Sequence, residues 1–164
     1  AHRAPTLLTW RVEWPRERNG SLSLLLMAIL AYGVNHRTAP LEVRERIAFP
    51  EDGLRDALHA IRAEVPTLSE AVIVSTCNRT EVYAALDPSE ERQVAAWLAR
   101  HRPIGEDDLA RIAYTYWDAD AVRHLIRVAS GLDSQVLGEP QIMGQIKSAY
   151  ELAREAGTLG PELH

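Results

Sequence analysis

Between Ala28 and Trp117 the hydrophobic pattern changes period in the order strand, helix, strand, strand, helix, strand, and this order restricts the folds open to the chain. Ala28 to Val34 is a short apolar run ending in the polar loop Asn35-His36-Arg37-Thr38-Ala39-Pro40. Pro50 opens a helix with Glu51 and Asp52 in its first turn, where negative charge meets the positive end of the helix dipole. Leu54, Ala57, Leu58, Ile61 and Val65 recur at helical spacing, and Pro66 closes the segment. Ala71–Val74 and Val82–Leu86 read as strands on either side of Ser75-Thr76-Cys77-Asn78-Arg79-Thr80-Glu81. Ser89 is expected to cap a second helix that carries Glu90 and Glu91 early and buries Val94, Trp97 and Leu98. Ile112 to Trp117, rich in aromatic and β-branched residues, reads as the fourth strand. The economical arrangement is α+β: a ferredoxin-like β-α-β-β-α-β sheet with both helices on one face. Two more helices are expected, from Asp118 or Asp120 to about Ser130, and from about Pro140 to about Ala156 with Gly157 as the stop.

A chain of 164 residues can bury one ordinary core with a small helical appendage. Hydrophobic residues at 46% and charged residues at 25% are the balance of a globular protein. The net charge of −5 argues against nucleic-acid binding driven by bulk charge and leaves room only for an RNA held at a local site. One cysteine cannot form an internal disulfide, and no Cys/His cluster has zinc-ligand spacing, so no metal is expected and the compartment is read as a reducing cytoplasm. The apolar stretch from Leu22 to Tyr32 follows three arginines and mimics a signal peptide. It is shorter than the roughly 20 residues that span a bilayer, and it flows into Gly33-Val34-Asn35-His36 without a small-residue cleavage site, so no membrane partner is expected. Residues 1–26, with Trp10 and Trp14, show no periodicity and read as an extension ahead of Met27, a candidate start.

Three places can carry chemistry. Cys77 sits between two strands, with Arg79 two residues on; a guanidinium favours a thiolate over a thiol. Free cysteine is also among the most buried residue types, and the residues alone leave both readings open. His124 flanks the apolar stripe of its helix, three residues after Ala121 and four before Val128, a place that suits either a hydrogen-bonded core histidine or an acid/base group. The loop from Gly131 to Gln141 gathers hydrogen-bonding side chains and runs into a helix N-terminus, which offers free N–H groups to an anion or simply caps the helix. Gln141 and Gln145 share one face of that helix. No two glycines are separated by a single residue, so a Gly-x-Gly-x-x-Gly fingerprint is missing, and so is a phosphate-binding P-loop.

Read together, Gly33-Val34-Asn35-His36-Arg37-Thr38-Ala39-Pro40, Ser75-Thr76-Cys77-Asn78-Arg79-Thr80-Glu81, Ala129-Ser130-Gly131-Leu132-Asp133-Ser134 and Gly138-Glu139-Pro140-Gln141-Ile142 strongly resemble glutamyl-tRNA reductase. The likeness covers about residues 27 to 164, with about 27–117 as the ferredoxin-like part and about 118–164 as a helical segment, and leaves 1–26 unmatched. It implies the NADPH-dependent reduction of glutamyl-tRNA(Glu) to glutamate-1-semialdehyde through a cysteine thioester, the first step of tetrapyrrole synthesis. By motif, Cys77 is implied as the nucleophile and His124 as an acid/base or orienting group. Thr76, Asn78 and Arg79 are implied around the substrate, with Arg79 on the glutamate carboxylate. Ser134, Glu139, Pro140, Gln141 and Gln145 fall at the family's other substrate positions. The family carries its NADPH-binding and dimerising domains after this one, and neither lies within these residues, so thioester formation and slow hydrolysis are expected here without reduction. A homodimer and the downstream aminomutase are implied partners of the longer protein. Two other readings stay open: a cysteine acyltransferase or hydrolase acting on simple thioesters through Cys77 and His124, and a noncatalytic module with Cys77 buried.

Overall fold

The computed structural model describes residues 27–164, so the extension 1–26 and the start of the apolar run at Leu22 lie outside the described residues. The strand-like runs become β1 (Ala28–Asn35), β2 (Glu70–Ser75), β3 (Arg79–Leu86) and β4 (Tyr114–Trp117). They form one sheet in the order β2-β3-β1-β4, with every neighbouring pair antiparallel. The expected α+β class holds: an antiparallel four-stranded sheet with helices, in which β3 lies between β1 and β2. All eight residues of β3 are buried, including the polar Arg79, Thr80 and Glu81, which is why its remainder, Val82–Leu86, reads as a continuous apolar run rather than an alternating one.

The helices are α1 (Leu41–Ile47), α2 (Leu54–Glu64), α3 (Glu91–His101), α4 (Glu106–Ile112), α5 (Asp118–Ala129) and α6 (Gln141–Glu155). Pro50 opens a 3-10 turn, Glu51–Gly53, that runs into α2. The second expected helix starts differently from its reading. Asp87, not Ser89, makes the cap: its carboxylate accepts the Ser89 N–H at 2.8 Å, and Pro88–Glu90 form a 3-10 turn before α3. Ile112 ends α4 instead of opening the fourth strand, because Gly105 and three acidic residues in the first turn start a short helix that the β-rich tail obscures. β4 passes into α5 at Asp118, which takes φ 47° and accepts the Ile29 N–H at 3.0 Å, binding the turn to β1.

Leu58 and Ile61 of α2 and Trp97 and Leu98 of α3 join Leu30 and Val34 in the core. The neighbouring residues of β1 and β3 point the opposite way, and α5 covers them through His124. The chain leaving α6 is stitched to β2: Ala71 donates its N–H to the Thr158 carbonyl at 2.9 Å, and the Thr158 hydroxyl donates to the Ala71 carbonyl at 2.9 Å.

Candidate active site

β1 and β2 end, and β3 begins, at the same edge of the sheet, where Asn35 pairs with Arg79 and Ser75 with Thr80. The loop Thr76-Cys77-Asn78 crosses that edge, and its shape follows from short-range bonds. The Thr76 hydroxyl oxygen accepts the N–H groups of Asn78 at 3.2 Å and Arg79 at 3.1 Å, and the Thr76 N–H donates to the Arg79 carbonyl at 2.8 Å. From α1, the largely buried Arg44 donates through Nη1 to the Cys77 carbonyl at 2.6 Å and to Asn78 Oδ1 at 3.0 Å. The backbone of Cys77 is therefore held from both sides while its side chain is exposed. The thiol lines an open cavity of about 1100 Å³ together with Arg44, Ser75, Thr76, Gln141 and Gln145.

Behind the loop lies a buried polar cluster centred on Glu81. This carboxylate is fully buried and receives Arg79 Nη1 at 2.9 Å, the Tyr83 hydroxyl at 2.8 Å, His124 Nε2 at 2.8 Å and the Tyr114 hydroxyl. Such a group persists in a core only when its lone pairs are this fully occupied. Burial alone would raise its pKa, but the hydrogen bond from His124, the charge of Arg79 and the Tyr114 hydroxyl hold it below the usual carboxylate value. Burial and the adjacent Glu81 charge push the Tyr83 and Tyr114 phenols up, so both remain donors. Room for Glu81 comes from its cross-strand neighbour Gly33: a Cβ there would stand 2.3 Å from the Thr80 carbonyl oxygen and 2.9 Å from Glu81 Cγ.

Arg79 carries a second carboxylate. Its Nη2 donates to the Asp133 carbonyl at 2.6 Å and to Asp133 Oδ2 at 3.2 Å, and Asp133 also receives Asn35 Nδ2 and Arg37 Nη1, each at 3.2 Å. The guanidinium is 1% exposed. Beside this cluster a second cavity, of about 510 Å³, is lined by Asn35, Arg37, Tyr114, Tyr116, His124 and Asp133. His124 sets Nε2 against the Glu81 carboxylate at 2.8 Å, which leaves Nδ1 as the ring nitrogen that Glu81 does not engage. Tyr116 stacks on that ring at 4.7 Å between centroids. His36 is held below the usual histidine pKa by partial burial and by the charges of Arg37 and Arg79. Among the described residues no group of three His, Cys, Asp or Glu is placed to hold a metal ion, and no helix is long and apolar enough to cross a membrane.

The family model described as "Glutamyl-tRNAGlu reductase, N-terminal domain" matches residues 32–164. The chain belongs to this family. It is 52% identical over 134 residues to a glutamyl-tRNA reductase of Methylococcus capsulatus, covering 82% of this chain and 32% of that protein. It is 55% identical over 137 residues to one of Stutzerimonas stutzeri, covering 84% of this chain and again 32% of the relative. A solved glutamyl-tRNA reductase from Methanopyrus kandleri superposes with a TM-score of 0.66 at 34% identity, over 82% of this chain and 30% of that one. The chain thus spans about a third of the length of the reductases it matches.

Set against the residues expected from that family, the geometry divides them. Thr76, Cys77, Gln141 and Gln145 meet around the first cavity, and His124 lines the second. Asn78, Arg79, Ser134, Glu139 and Pro140 line neither of these two: Asn78 is engaged by Arg44, Arg79 by Glu81 and Asp133, and Ser134 is buried. Cys77 is not a buried hydrophobe. Two residues escaped the sequence reading. Arg44 sits on a seven-residue helix whose only local signals are Pro40 at its N-cap and Glu42 in its first turn. Glu81 stands at the edge of an apolar strand, where a charge is a sign of a partner from another element.

Proposed function

We propose that this chain is the substrate-binding, thioester-forming part of a glutamyl-tRNA reductase, acting in the first step of tetrapyrrole synthesis in the cytoplasm. The observation that carries the reading is an exposed thiol on a doubly anchored loop, facing a cavity walled by Gln141 and Gln145, within the stretch that the family matches. The Cys77 sulfur attacks the glutamyl carbonyl carbon, forming a C–S bond as the bond from that carbon to the ribose oxygen breaks, and the thiol's proton ends on the freed ribose hydroxyl. Held by Glu81, His124 presents Nδ1 as the group that relays this proton. Thr76 and Asn78 shape the loop. Arg79 meets the glutamate carboxylate by exchanging Asp133 for it, which ties capture to the loop carrying Ser134, Glu139 and Pro140. The longer protein works with glutamyl-tRNA(Glu), as a homodimer, and hands its product to an aminomutase.

A pyrophosphate cradle needs closely spaced glycines in a parallel β-α-β turn, whereas this sheet is antiparallel throughout. The described residues do not fit NADPH, and reduction requires a site they do not form. Incubation with glutamyl-tRNA and NADPH is therefore expected to yield a trappable protein adduct and free glutamate. An adduct that forms equally well on Cys77→Ser, or any semialdehyde, would refute the reading.

A further inference from the structure

The sheet face that carries Glu81 is covered unevenly. α5 lies over β1 and α6 over β2, and the strand between them, β3, runs beneath the gap. There Tyr83, with Ile29 and Val72 beside it, floors an apolar cavity of about 230 Å³ that is walled by Val122 and Leu125 of α5 and by Ile146 of α6. The apolar walls continue outwards as a groove: Ile126 stands one turn beyond Val122, and Met143 one turn before Ile146. Among the described residues Ile126 is 62% exposed and Met143 53%.

The chain itself reaches this groove after it leaves α6, for Leu163 and His164 line the cavity. The turn that brings them there is built like the start of a helix. Pro161 follows Gly160, and the buried Glu70 carboxylate accepts the N–H groups of Glu162 at 3.0 Å and Leu163 at 2.8 Å. Gly160 leaves room for that carboxylate, since a Cβ there would stand 2.5 Å from Glu70 Oε1. About two thirds of the length of the matched reductases lies outside these residues.

We infer that the groove between α5 and α6 seats an amphipathic helix that begins at Pro161 and is continued by the segment that follows in the longer reductases, with Leu163 as its first buried side chain. Such a helix carries apolar residues three or four and seven positions after Leu163, the spacing with which a helix fills a groove. A small apolar molecule would fill the cavity and leave Ile126 and Met143 in water. The chemistry of Cys77 plays no part in this docking.

The probe is a synthetic peptide of about 20 residues, long enough for several helical turns, that copies the segment following the matched stretch in the Stutzerimonas stutzeri reductase. Titrated into the chain, it is expected to bind and to raise the helical circular-dichroism signal above the sum of the two parts. Ile126→Asp and Met143→Asp are each expected to weaken binding about tenfold, which corresponds to about 1.4 kcal/mol. Both positions are exposed, so the fold itself is spared. Met143→Leu is expected to preserve binding, as is Leu41→Asp at a comparably exposed position on α1. No gain in helix, or the same loss in Leu41→Asp, overturns the inference. So does self-association of the chain that Ile126→Asp abolishes, which would give the groove to a second copy. Binding that appears only once residues 1–26 are removed overturns it too, by giving the groove to the apolar run ahead of β1.

Discussion

Gly33 and Glu81 face each other across β1 and β3, and the side chain that one lacks is the space the other occupies. Gly33→Ala would drive a methyl group into the Thr80 carbonyl and the stem of Glu81, where backbone, not a flexible tip, has to yield. Overpacking of this kind costs about 1–3 kcal/mol. Urea unfolding should show that loss, together with slower acylation of Cys77 as His124 loses its anchor. Unchanged stability would mean that the two strands separate more easily than their register suggests.

Glu81→Gln should be costlier. It leaves Arg79 with half of its compensation and His124 facing an amide, and removing one member of a buried charge pair costs about 3–5 kcal/mol. The pH dependence has a definite sign. The folded Glu81 carboxyl lies below its ordinary value of 4.5, so the stability it adds is complete above pH 4.5 and drains away as pH falls through the lower folded value. Unfolding midpoints measured from pH 7 to pH 3 should therefore fall less steeply in Glu81→Gln than in the parent chain. Parallel curves would show that some other carboxylate governs acid unfolding.

Arg44→Ala should leave the sheet intact and loosen the loop that carries Cys77. It deletes two charge-assisted bonds, to the Cys77 carbonyl and to Asn78, each of a class worth about 1.5–3 kcal/mol. Acylation should slow by about tenfold or more, with partial recovery in Arg44→Lys. Iodoacetamide, by contrast, should label Cys77 in the native chain of either protein, since the thiol is exposed. Full acylation rates in Arg44→Ala would reduce that arginine to a packing residue.

Arg79→Lys keeps one charge and loses the fork that spans Glu81 and Asp133. Weaker capture of glutamyl-tRNA is expected, with a smaller loss of stability than in Glu81→Gln. If KM and the urea midpoint both stay put, Arg79 has neither role.

The parts of this fold that could be read from the sequence are those repeated often enough to show a period. Three turns of α2 and the long apolar runs of β2 and β3 declare themselves, whereas α1 has seven residues, fewer than two full turns, and hides in what looks like loop. The motif around Cys77 drew attention to a loop whose thiol is exposed, but the bond that holds its backbone comes from Arg44 on that unseen helix. Arg79 shows the same limit more sharply. Glu81, two residues on along β3, is in plain view, and only the return of the chain at Asp133 reveals the second carboxylate that holds the guanidinium. Non-local electrostatics of this kind leave no local signature, because the partner arrives through tertiary packing.

In the proposed acylation, the anchoring of Thr76-Cys77-Asn78 has a thermodynamic consequence. Ordering a free backbone costs about 1–2 kcal/mol per residue, and here the Thr76 turn and Arg44 impose that order during folding, before any ligand arrives. Little of the favourable free energy of docking is then diverted into freezing the tip of the hairpin, and more of it remains to lower the barrier for sulfur to meet carbon.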